Sequence, residues 1–112
     1  RVITMRARGF WDDAMAARFR DSFDALWRSI DTSEPTYVLA DVSQYPAQRD
    51  SVQAVHAGLM QRGREMGVKR SANLVSAALT SMQIRRLSKE SGLVEHSFFK
   101  DETEALKWLL AP

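Results

Sequence analysis

Two hydrophobic periods alternate along this chain. Residues 1 to 8 set Val2, Thr4, Arg6 and Arg8 against Ile3, Met5 and Ala7, a repeat of two that predicts a strand closed by Gly9. From Trp11 the repeat lengthens. Met15, Phe19, Phe23, Leu26, Trp27 and Ile30 return every three or four residues, while Arg18, Asp21, Asp24 and Arg28 take the other side. This predicts a long helix, with Asp12 or Asp13 available as its cap. Glu34-Pro35 breaks the chain, and the nearly continuous apolar run Thr36 to Val42 predicts a central strand covered on both faces.

Ser43 to Arg49, which contains Pro46, reads as a loop. Asp50 then suits the cap of a second helix, lined on one side by Val52, Val55, Leu59, Met60 and Met66 and ended by Gly67. A third strand is predicted over Ser71 to Ala78. A short helix follows from Thr80 or Ser81 through Met82, Ile84 and Leu87 to Gly92, and a fourth strand over Leu93 to Phe99. Asp101 and Glu104 have the spacing of a capping box, and Ala105, Leu106, Trp108 and Leu109 give the last helix its apolar side.

Strand and helix alternate without repeats or linkers, which predicts an α/β fold. The expected architecture is a single domain over 1–112: a twisted, largely parallel sheet with four visible strands, right-handed connections and about four helices. A chain of 112 residues with 45% hydrophobic positions can bury one core without staples. No apolar run approaches the ~18 residues needed to span a bilayer, and no secretory signal is visible. The chain has no cysteine, which removes disulfides, thiolate metal sites and thiol nucleophiles, and agrees with the reducing cytoplasm as the expected location. With 16 Lys and Arg against 14 Asp and Glu, the net charge of +2 is far from that of a typical polyanion binder, so no nucleic-acid partner is expected.

Three local patterns carry a family resemblance. They are Gly9-Phe10-Trp11 opening the first helix, Tyr37-Val38-Leu39-Ala40-Asp41-Val42-Ser43 ending the second strand, and the closing Phe98-Phe99-x-Asp101-Glu102-x-x-Ala105-Leu106-x-Trp108-Leu109. Together they resemble STAS-type, SpoIIAA-like small bacterial domains, along the whole chain and mostly through core and capping residues. The resemblance implies a twisted sheet wrapped by helices, with an extra N-terminal edge strand or hairpin upstream of Arg1. It also implies a non-enzymatic regulatory module that acts through a protein partner or self-association. In the anti-sigma-factor antagonists of this family, a serine opening the second helix within an Asp-Ser-Ser/Thr-Gly pattern is phosphorylated to switch partner binding. Asp50 and Ser51 match its first two residues, and Val52 and Gln53 stand in the other two places. A helix N-terminus offers a phosphate unpaired amides and the positive dipole end. The plainer reading makes Asp50 the cap and Ser51 an ordinary first-turn residue.

Asp41 and Ser43 fall at the carboxyl end of a predicted parallel strand, where ligand sites of open α/β sheets collect. A phospho-accepting receiver site would need an acidic pair ending the first strand, where this chain has Arg8-Gly9, so Asp41 is expected to brace its loop through Ser43. His56 lies beside the apolar stripe of the second helix without an acid in its turn, and His96 shares a strand face with Val94 and Phe98. Both are expected to be packed imidazoles, with no metal and no cofactor. No Gly-rich phosphate loop, Gly-x-Ser-x-Gly elbow or His-Glu-x-x-His helix is present. Arg62, Arg64, Lys69 and Arg70 gather near the end of the second helix, and Arg85, Arg86 and Lys89 form another group. Either they make a basic surface for an acidic partner, or they complement a helix C-terminus and a solvated face. A second functional class is a lipid or small apolar ligand held between sheet and helices, lined by Phe10, Trp11, Trp27 and the methionines.

Overall fold

A computed structural model describes every residue except 32, 77 and 92–94, and the backbone alone of 90 and 91. Its elements run β1 (Val2–Arg8), α1 (Asp13–Ser29), β2 (Thr36–Gln44), α2 (Asp50–Glu65), β3 (Val68–Leu74), α3 (Ala78–Ser91), β4 (His96–Phe99) and α4 (Glu102–Leu109). The strands form one four-stranded sheet in the order β1-β2-β3-β4, and every neighbouring pair is parallel. The α/β fold expected from the alternating periods is therefore the one observed.

The order of strands fixes where the helices go. With right-handed crossovers, adding each strand on the same side of the last puts every connecting helix on the same face. That face holds one core, built from Ala7 and Val42 of the sheet, Trp11 and Tyr45 of the loops, Ala16 of α1, Val52 of α2 and Ile84 of α3. The opposite face is left to α4, where Ala105 and Leu109 pack on Leu39, Ala72 and Leu74. Alternation along β2 sorts the side chains: Leu39 goes to α4, and Val38, Ala40 and Val42 go to the face of the three crossover helices.

Side-chain caps fix the starts of α1 and α4. Asp12 accepts a hydrogen bond from the Met15 amide at 2.8 Å, and Asp101 accepts one from the Thr103 amide at 2.9 Å. Glu104, spaced to close a capping box, turns instead to Lys107 Nζ at 3.5 Å. The N-cap of α2 is Arg49, whose side chain makes no capping bond, and Asp50 is the first helical residue rather than the cap. Gly67, at φ +90°, ends α2 in the left-handed conformation that a side chain would strain, and its amide bonds to the Arg64 carbonyl at 3.1 Å.

That turn returns the chain to the sheet at once. β3 therefore starts at Val68 and ends at Leu74, three residues earlier than Ser71 at one end and four earlier than Ala78 at the other. β2 likewise runs on to Gln44, and α3 opens at Ala78 rather than at Thr80. The predicted helix stop at Gly92, and Leu93 and Val94 of the predicted fourth strand, lie outside the described residues, as does Ala77. On α1, Met15 and Leu26 are exposed although they fit the apolar spacing, because the helix buries a narrower stripe centred on Ala16 and Trp27.

One side chain fastens the α4 layer. Arg70 of β3 pairs with Glu95 at 2.7 Å, and its guanidinium also donates to the carbonyls of Trp108 and Ala111 at 3.0 and 2.8 Å, closing the C-terminal end of α4 onto the sheet. Leu109 is fully buried in that layer. Truncation to alanine should lower unfolding free energy by about 3 kcal/mol, read as a lower urea midpoint at unchanged slope.

Candidate functional site

Beneath the three crossover helices the sheet does not meet its cover everywhere. A cavity of about 90 Å³ lies there, floored by inward-facing residues of all four strands (Met5, Val38, Ala40, Ser71, Asn73 and His96) and roofed by Leu59, Met60 and Gly63 of α2 with Ile84 and Leu87 of α3. Its origin is local. Ala40, Ser71 and Gly63 are small where a filled core would place branched side chains. One buried water needs ~10–15 Å³, and an engineered cavity of ~150 Å³ takes benzene, so the volume suits a molecule of a few heavy atoms. No Asp, Glu, Lys or Arg occurs among the described lining residues.

Polar groups nevertheless enter the cavity from two sides. At one wall the Tyr45 hydroxyl and Nε2 of His56 are hydrogen-bonded at 2.6 Å. Burial holds the Tyr45 phenol protonated, its pKa pushed up, and pushes that of His56 down to about 4. The rings of Trp11 and Phe19 stand 5.5 and 6.0 Å from this imidazole and make its surroundings apolar. Beside it, Gln48 joins three segments. Its side chain accepts from the Trp11 amide at 2.9 Å and donates to the Gly9 and Pro46 carbonyls, and its backbone binds the side chains of Gln53 and Gln83. Arg86 donates to the remaining Gln53 oxygen, and Thr80 donates to the Tyr45 carbonyl at 2.7 Å.

At the other wall, β3 and β4 place Ser71 opposite His96 in register. Asn73 donates to the Ser97 carbonyl at 3.1 Å, and its amide nitrogen lies 3.0 and 3.5 Å from the two nitrogens of His96. The amide nitrogen can only donate, so the nearer ring nitrogen, Nδ1, is the acceptor. Burial, and secondarily the Arg85 charge, push the pKa of His96 down to about 4. Arg85 itself stacks over Phe98 at 4.1 Å. Ser71 is 5% exposed, and its hydroxyl has no hydrogen-bond partner among the described residues.

Asp41, Ser43, Asp50 and Ser51, singled out in the sequence, lie elsewhere. Asp41 and Ser43 do come together: the Ser43 amide and hydroxyl both donate to Asp41 Oδ1, at 3.1 and 2.6 Å. The Ser43 hydroxyl, more than any other group, holds the Asp41 carboxyl below its usual range despite partial burial, with the Ser43 amide, Arg6 and Arg8 assisting. The Ser76 hydroxyl bonds to the Ser43 carbonyl and completes this brace at the carboxyl ends of β2 and β3. Asp50 and Ser51 are exposed at the start of α2, and the Ser51 hydroxyl donates to Asp13 of α1 at 2.6 Å. A phosphate on Ser51 would therefore face a carboxylate.

Two of the four basic residues have defined partners. Arg62 pairs with Asp24 of α1 at 3.1 Å, whereas Arg70 is fastened to α4 on the opposite face. His56 and His96 are packed as expected, and His96 does share its face with Phe98, their rings 5.6 Å apart. Val94 lies outside the described residues. Phe10 is 76% exposed, and Trp11 and Trp27 pack away from the cavity, which Phe23, Met5 and Met60 line instead. Among the described residues no group of three or more His, Asp or Glu is placed to hold a metal ion, and no helix is long and apolar enough to cross a membrane.

Ser71, Asn73, Gln48, Gln53 and Gln83 are absent from the sequence-derived candidates. Their signal is a polar pair at i and i+2, Ser71 and Asn73, in a strand whose neighbours on both sides require it to be buried. No protein-family model matches the chain, and no curated protein matches it.

Folding keeps both imidazoles neutral at a pH where the unfolded chain, titrating near the ordinary 6.5, takes up protons. Stability should thus be fully present above pH 6.5 and fall as the pH drops toward 4, by at most about 1.4 kcal/mol per pH unit for each imidazole. Urea midpoints measured across this range should show the slope, and the double substitution His56→Gln and His96→Gln should flatten it.

Proposed function

We propose that this protein binds a small, uncharged and largely apolar molecule in the cavity between its sheet and α2 and α3. The observation that carries this reading is the cavity itself: an unfilled volume between sheet and helices, lined by apolar and uncharged polar side chains with no charged group among the described lining residues. Leaving such a volume empty forgoes dispersion contacts and costs stability, roughly in proportion to its size. An ionised ligand would lie uncompensated there, and a volume below that of the benzene-sized cavity favours a ligand of a few heavy atoms over an acyl chain. Binding is expected to proceed without a metal or cofactor, and the STAS-type relationship and a cytoplasmic location form the setting of the proposal.

Xenon tests the cavity without relying on any ligand chemistry. Under pressure it should shift the amide resonances of Ala40, Ser71, Ile84 and Leu87 in a two-dimensional NMR spectrum. Ala40→Leu, which places three more carbons in the void, should abolish those shifts while leaving the fold intact. A spectrum in which xenon moves only surface residues would remove the proposal.

A second reading has its own observation. Leu79 and Met82 are 66% and 65% exposed and stand three residues apart on α3, so they share one face of that helix. Large apolar side chains held in solvent side by side favour a protein contact, with a partner or a second copy, as the family resemblance also implies. Light scattering at rising concentration should then show a mass above that of one chain, and the double change Leu79→Glu and Met82→Glu should return it to 12.7 kDa.

A further inference from the structure

We propose that the cavity selects a neutral alcohol, whose hydroxyl is received by Ser71 of β3 beside His96 of β4 while its apolar body lies under Met60, Ile84 and Leu87. This rests on the binding reading above and adds the chemical class of the ligand and the residue that reads it.

The argument is one of hydrogen-bond accounting. Tyr45 and His56 satisfy each other, Gln48, Gln53 and Gln83 form a closed network with backbone groups and Arg86, Thr80 is held by the Tyr45 carbonyl, and Asn73 by Ser97 and His96. Ser71 is different. The residue is 5% exposed, it faces the cavity, and its hydroxyl has no protein partner among the described residues, whereas Trp27 Nε1, buried without a partner, is not among the lining residues. A hydroxyl that faces the cavity and is bonded to no protein group among the described residues is one that a ligand there can meet. Its register neighbour His96 also lines the cavity. With Nδ1 accepting from Asn73, the neutral His96 imidazole keeps an Nε2–H to donate, and a serine hydroxyl can donate or accept, so the pair suits a ligand group that accepts and donates at one oxygen. An alcohol has that pattern. A carboxylate only accepts and carries a charge that nothing in the lining offsets. A hydrocarbon leaves Ser71 unsatisfied.

2-Propanol, isobutane and acetate have the same number of heavy atoms and differ in this group. Titrated into the protein at pH 7 and followed by NMR, the alcohol should bind and move the imidazole nitrogen resonances of His96, and the alkane should bind without moving them. The carboxylate should bind at least roughly a hundredfold more weakly than the alcohol. Ser71→Ala should weaken 2-propanol by roughly threefold to tenfold and leave isobutane unchanged or tighter. The proposal is overturned if the carboxylate binds as well as the alcohol, if the alcohol leaves His96 unmoved, or if Ser71→Ala weakens alcohol and alkane alike. The first two outcomes are read on the unaltered chain and do not depend on the variant folding. If isobutane binds but the alcohol shows no dependence on Ser71, the cavity reading stands and only the selectivity falls. If neither the alcohol nor the alkane binds, both fall together.

Discussion

A parallel sheet has to be covered on both faces, and here the order β1-β2-β3-β4 divides that task unequally. Three crossover helices share one face, and the eight-residue α4 alone covers the other. The short helix compensates by close packing. Ala105 and Leu109 are wholly buried, Trp108 stacks near Phe99 with ring centres 5.7 Å apart, and Arg70 bonds the last carbonyls of the helix. On the broad face the helices meet one another as well as the sheet, so their roof is held at a distance that the small residues Ala40, Ser71 and Gly63 do not fill. The cavity is a consequence of this topology combined with small side chains at its centre.

The polar groups around that cavity have an energetic cost that burial alone does not repay. Each amide or hydroxyl removed from water must recover its hydrogen bonds inside the chain. Gln48 does so completely, and by doing so it locks the turn before α1, the loop before α2 and the side of α3 into one arrangement. The two histidines solve the problem differently, by losing their charge. His56 is neutralised by an apolar cage, whereas His96 also feels the Arg85 charge, so the two walls reach the same protonation state by different routes. The result is a cavity without a charged group among its described lining residues.

The carboxyl edge of the sheet shows the opposite logic. There, hydroxyls are consumed by carboxylates: Ser43 by Asp41, and Ser51 by Asp13. These bonds tie neighbouring segments, β2 to its own loop and α2 to α1, and spend the groups that strand ends and helix starts in other α/β proteins offer to ligands. The edge is thereby closed by short polar braces, and the open volume lies inside.

The order of elements, the helix-start residues Asp12 and Asp101, the stop at Gly67 and the burial of β2 on both faces are legible in the sequence, because each depends on local periodicity, a cap or a backbone preference. Where neighbours in sequence mislead, the boundaries shift: Asp50 has the look of a cap but follows one, and β3 begins at Val68 because the left-handed Gly67 turns the chain immediately. The site belongs to tertiary structure. Ser71, Asn73 and His96 lie on two strands, Tyr45 and His56 on a loop and a helix, and no spacing along the chain brings them together; the pairing of β3 with β4 and the height of the helical roof do. Arg62 and Arg70 illustrate the same limit, since they are close in sequence yet pair with helices on opposite faces. Sequence determined which residues fold into strands and helices, because that depends on near neighbours. Only the tertiary structure decided which polar groups share a buried space, because that depends on how the layers are stacked.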